Sequence, residues 1–171
     1  MRQRICCYIV LCMLLSNTPG TLFAQKYVKI GDQVPEVTLS NVLNYKSKTL
    51  KLSDFKGKVL ILDFWATWCG SCIEAMPKLD SLQNRFDDWI QILSVTYQTK
   101  AEIDAFKKRN QTVRDFKLPL VTGDDKLKKL FPHRALPHLV WISPKGKFLL
   151  TSSGYNVTNS TLQDILKTSS R

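Results

Sequence analysis

Two cysteines, Cys69 and Cys72, enclose Gly70 and Ser71, and a single acid, Asp63, interrupts the apolar run that leads into them. Thiols at this spacing can cycle between dithiol and disulfide, close a fixed cross-link, or supply half of a zinc site. What carries the pair bears on the choice. Val59-Leu60-Ile61-Leu62, followed by Phe64 and Trp65, reads as a strand buried on both faces and opened by Gly57-Lys58. From Cys72 the apolar residues recur at Met76, Leu79, Leu82 and Phe86, the stripe of a helix, with Pro77 expected to interrupt one backbone bond and kink it. The pair therefore falls where a buried strand ends and a helix begins. The first turn of a helix offers unpaired N–H groups and a partial positive charge, both of which stabilise an anion. A cysteine there forms its thiolate more readily, and the thiolate is the species that attacks disulfides. Cys69, at the helix mouth, is expected to be the exposed nucleophile. Cys72, one turn in, is placed to attack the mixed disulfide and release the reduced partner. Asp63 is costly as a buried carboxylate, and the expected response is a raised pKa.

The elements around the pair follow from pattern. Lys26 to Asn44 and Thr49 to Leu52 alternate apolar and polar residues around Gly31-Asp32 and Pro35, as short edge strands do. Ile90 to Tyr97 reads as a second buried strand. Thr99 with Glu102 forms a capping box for a helix carrying Ile103 and Phe106. Leu118 to Thr122 is a short strand and Asp125 to Phe131 a short helix. Leu139 to Ile142 and Phe148 to Thr151 form a hairpin around Pro144-Lys145-Gly146, and Ser160 with Gln163 caps a last helix carrying Leu162, Ile165 and Leu166. The order predicts an α/β domain whose mixed sheet is covered by helices on both faces.

The chain has 171 residues, 44% hydrophobic and 23% charged, which fits one globular domain and excludes disorder, collagen and a polytopic membrane protein. Its net charge of +11 comes from 25 Lys and Arg against 14 Asp and Glu. The densest basic pieces, Lys107-Lys108-Arg109 and Lys126 to Lys129, read as solvated helix faces without the aromatic interleaving of a single-strand binder, so nucleic-acid binding is not expected. Arg2 and Arg4, an uncharged run from Ile5 to Leu15, and the polar Ser16 to Gly20 before Leu22-Phe23-Ala24 have the order of a secretory signal peptide. The run is shorter than the ~20 residues of a spanning helix, so a retained membrane anchor is the lesser alternative. Residues 1–24 are expected to be removed, leaving 25–171 as a single domain. Cys6, Cys7 and Cys12 leave with the signal, so the mature chain keeps only Cys69 and Cys72, in an oxidising compartment.

The segment Asp63-Phe64-Trp65-Ala66-Thr67-Trp68-Cys69-Gly70-Ser71-Cys72, with Pro77 following, closely resembles the active-site segment of thioredoxins. With the signal, the Gly31-Asp32-Gln33-Val34-Pro35 opening and the extra stretch around residues 99–122, the chain resembles the exported TlpA/ResA branch of that superfamily. The resemblance implies a thioredoxin-like fold with an N-terminal strand extension and a central helix–strand insertion. It implies a thiol–disulfide oxidoreductase without cofactor or metal, acting as a monomer in the periplasm. Exported proteins with disulfides would be its substrates, and a membrane-bound electron donor would return it to the dithiol. By the same likeness Leu136-Pro137 matches the loop whose proline is cis and packs against the cysteines. Trp68, Gly70, Ser71 and Leu136 would contact substrate, and Asp63 would accept a proton from Cys72.

Two positions depart from the branch. Ala75 stands where many members carry glutamate, with Glu74 on a different helix face, and His138 follows the loop proline where small or hydroxyl residues are common. Competing functions are a disulfide oxidase or isomerase, a thiol peroxidase sharing the same opening, and a metal module built from Cys69, Cys72, His133 and His138.

Overall fold

The computed structural model describes residues 27–153 and 157–169. The expected signal segment and its three cysteines lie outside the described residues. Strand β4 (Val59–Phe64) is buried along its whole length, because it has a strand on each side and a hydrophobic layer on each face. It runs parallel to β5 (Ile90–Val95) and antiparallel to β7 (His138–Ile142). The six-stranded sheet is completed by β2 (Val42–Leu43), β6 (Leu120–Val121) and β8 (Phe148–Ser152), in the order β2-β6-β5-β4-β7-β8. β1 (Thr38–Leu39) and β3 (Leu50–Lys51) pair separately as a small antiparallel sheet, followed by a 3-10 turn over Leu52–Phe55.

Alternation along β4 divides the core. Val59, Ile61 and Trp65 join the layer that contains Cys69, Cys72, Met76 and Leu79, whereas Leu60, Leu62 and Phe64 join the layer of Leu93, Val140 and Phe148. By strand parity Asp63 faces the first of these, the cysteine side. Helix α1 (Gly70–Arg85) buries Cys72, Met76, Leu79 and Leu82, the expected stripe, and continues through Pro77. That proline has no N–H to give the Ile73 carbonyl.

Helices α2 (Lys100–Lys107), α3 (Gln111–Asp115), α4 (Leu127–Leu130) and α5 (Asn159–Ser169) complete the molecule. The Thr99–Glu102 capping box is present, Thr99 N–H donating to the Glu102 carboxylate at 2.7 Å. α3 was not expected: five residues carry too few apolar positions to show a period, and its start is set by the Asn110 side chain accepting the Val113 N–H at 3.0 Å. The last helix begins one residue before Ser160. Thr158 caps it by accepting the Thr161 N–H, while the Ser160 hydroxyl is spent on Thr158 Oγ1. Among the described residues no helix is long and apolar enough to cross a membrane.

Candidate active site

Cys69 is the N-cap of α1, and its side chain is bonded to that of Cys72, S–S 2.05 Å with Cα atoms 5.3 Å apart. The strand delivers it there through a short connection: Trp65 N–H donates to the Val95 carbonyl, and Cys69 N–H to that of Ala66. Cys69 Sγ accepts the Cys72 N–H at 3.3 Å and faces the Ser71 hydroxyl at 3.6 Å, with Ser71 as donor because a disulfide sulfur has no proton. Gly70 and Ser71 thus form the first turn beneath the sulfurs. Cys69 is 5% exposed and Cys72 2%, so the expected exposure of Cys69 is not found in the disulfide state. Bonded to Cys72 and drawn onto the helix end, the first sulfur is folded out of solvent.

Asp63 is 3% exposed and pairs across the sheet with Ser94 on β5 and Leu139 on β7. Burial pushes its carboxyl up to about 7, opposed only by a 3.1 Å hydrogen bond from the Ser94 hydroxyl. The Leu136–Pro137 peptide is cis, as the resemblance implied. Leu136 packs against both core layers, and Trp68 stands 66% exposed beside the cysteines, its indole N–H donating to the Tyr97 hydroxyl at 2.8 Å. Glu74 is exposed on the surface of α1.

Gln98 and Ser94 were not singled out from sequence. Gln98 clamps the segment before the cysteines, accepting the Thr67 N–H at 2.7 Å and donating to Thr67 Oγ1 at 2.9 Å. His133 and His138 stack on one another at 4.7 Å, with Phe64 against both. Burial holds both imidazoles below their ordinary range, and the neighbouring His133 also lowers His138. Among the described residues no group of three or more His, Cys, Asp and Glu could hold a metal ion. Ser94 left a signal: it interrupts an apolar run as Asp63 does, and two polar residues in adjacent buried strands are best satisfied by each other.

The model of the AhpC/TSA family matches residues 30–148. The chain belongs to the AhpC/TSA family. The chain is 36% identical to the thioredoxin-like protein YneN of Bacillus subtilis over 63% of this chain and 61% of that protein. It is 25% identical to the thiol-disulfide oxidoreductase ResA of Bacillus cereus over 97% of this chain and 96% of the relative. Among solved structures, the exposed lipoprotein thioredoxin Etrx1 of Streptococcus pneumoniae superposes with a TM-score of 0.65 at 27% identity, covering 78% of this chain and 99% of Etrx1. This AhpC/TSA member is a thiol–disulfide oxidoreductase of thioredoxin-like fold.

Proposed function

We propose that the protein is an exported reductase of the bacterial cell envelope that opens disulfides in other exported proteins through the Cys69–Cys72 dithiol. The observation that carries this is Cys69 standing as the N-cap of a long helix, bonded to a cysteine one turn inside it. In the reduced protein a Cys69 thiolate would keep the Cys72 N–H and the Ser71 hydroxyl as donors and gain from the helix's positive end. It attacks one sulfur of the substrate disulfide, the other leaves as a thiol, and Cys72 then displaces the bound half while its proton passes toward Asp63. Two electrons move to the substrate, and the protein is left in the disulfide form. Pro137, Leu136 and Trp68 frame the face on which the substrate lies. A membrane-bound donor restores the dithiol, and the protein works as a monomer.

Trapping tests the scheme. Cys69→Ser is expected to abolish exchange, whereas Cys72→Ser is expected to accumulate a mixed disulfide with envelope proteins, visible as adducts that collapse on adding dithiothreitol. Full turnover by either variant would remove the mechanism. Direction is read from the reduction potential: a value around −270 mV supports the reductase, and one around −120 mV an oxidase. Cys72→Ser is also expected to turn over no peroxide, and steady peroxide consumption would favour a peroxidase instead.

A further inference from the structure

The cysteine end of the molecule has a feature that bond exchange alone does not use. A pocket of about 70 Å³ is lined by Trp68, Tyr97, Lys128, His133, Arg134 and Leu136. One water needs roughly 10–15 Å³ and a small-molecule site ~300 Å³ or more, so the space suits a single side chain. Trp68 immediately precedes Cys69 and Leu136 immediately precedes Pro137. A polypeptide that offers its disulfide to Cys69 therefore lays the residues flanking its half-cystine beside this pocket.

The pocket's acceptors are already taken, and its unpaired polar groups are donors. The Tyr97 oxygen accepts from Trp68, which leaves its own proton unassigned to any partner among the described residues. Lys128 Nζ lies 5.3 Å over the Tyr97 ring, and neither it nor the exposed Arg134 belongs to an ion pair among the described residues. The pocket's acid, Asp124, is already engaged: its carboxylate accepts the N–H groups of Lys126, Leu127 and Lys128 at 2.9–3.2 Å. His133 is tied through Nδ1 to the Phe131 carbonyl at 2.9 Å. Two unpaired cations and a phenol donor around a space of this size fit one carboxylate.

We infer that this pocket is a specificity subsite for an aspartate or glutamate side chain next to the reacting cystine of the substrate. The inference rests on the proposed reduction of protein disulfides and names which of them are favoured. It is tested with disulfide-bonded peptides that are identical except for Glu, Gln or Lys beside one half-cystine. Each is mixed with the dithiol form of the full protein, and peptide thiols are followed in a single turnover. One peptide disulfide becomes two thiols as the Cys69–Cys72 bond forms, so electrons and protons balance. The Glu peptide is expected to react about tenfold faster than the Gln peptide at low ionic strength, the size that two partly exposed ion pairs give together. The Lys peptide is expected to be slowest, and the spread to shrink in high salt. In the double variant Lys128→Gln/Arg134→Gln the Glu-to-Gln rate ratio is expected to fall close to one. Equal rates for the three peptides with the unaltered protein, or an unchanged ratio in the variant, would overturn the subsite alone. Failure to reduce any of the peptides would overturn the reductase itself, and the subsite with it.

Discussion

Burial holds the Asp63 carboxyl at about 7 against an ordinary 3.8, so at neutral pH the group is divided between its acid and its anion. That division suits a proton acceptor for Cys72, and it has a cost in stability. A carboxyl whose pKa is raised by folding contributes fully below its unfolded value, and the contribution is lost as pH climbs through the folded one. The window runs from about 4 to about 7 and is worth on the order of 4 kcal/mol. Asp63→Asn, which does not titrate, is therefore expected to gain stability on the native protein across this window. Urea unfolding at pH 4 and pH 8 checks it: the difference between variant and native protein should move by a few kcal/mol in the variant's favour. Slower release of mixed disulfides by the same variant would mark the proton-transfer role. The acid was legible in sequence because it breaks an apolar strand. Its partner Ser94 was harder to see, since serine is common enough in strands to pass without comment, and only the Asp63–Ser94 register joins the two.

Helix α1 and the strand before it could be drawn from sequence because the helix carries a long apolar stripe and the strand an apolar run broken only at Asp63. The short pieces could not. α3 rests on one side-chain cap and a single buried residue, Val113, and β1, β2 and β3 are two residues each, so which of them joins the main sheet depends on contacts far along the chain. Helix α4, another short piece, is held mainly by Asp124, which gathers three consecutive amides. Asp124→Ala is expected to cost about 2 kcal/mol in a urea titration, because hydrogen bonds to a charged group contribute more than neutral ones and the amides are left without their acceptor. The loss should also loosen Lys128, which rides on that helix. Gly146 poses a different demand: its φ of +82° at the hairpin belongs to a region that L side chains rarely adopt. Gly146→Ala is expected to cost roughly 1 kcal/mol by the same measurement.

For the molecule as a whole, the proposed export makes a prediction that needs no knowledge of the site. Amino-terminal sequencing of protein from the envelope fraction should begin at Gln25, with Arg2 and Arg4 gone and the net charge reduced from +11 to +9. A full-length chain in the cytosol would refute it. Fold class and the cysteine pair were visible from sequence because both depend on local order, strand then turn then helix. The pocket of Trp68, Tyr97, Lys128 and Arg134 was not, since its walls come from segments that only the folded sheet brings together. The same sheet separates two ends. The cysteines follow the last residue of β4, while the Pro144–Gly146 hairpin sits by its first, where Gly57 N–H meets the Pro144 carbonyl. Six residues of strand span about 20 Å. Lys145, exposed on that hairpin, is therefore a natural anchoring point: a fluorophore or an electrode linker attached there leaves the sulfurs pointing away from the support.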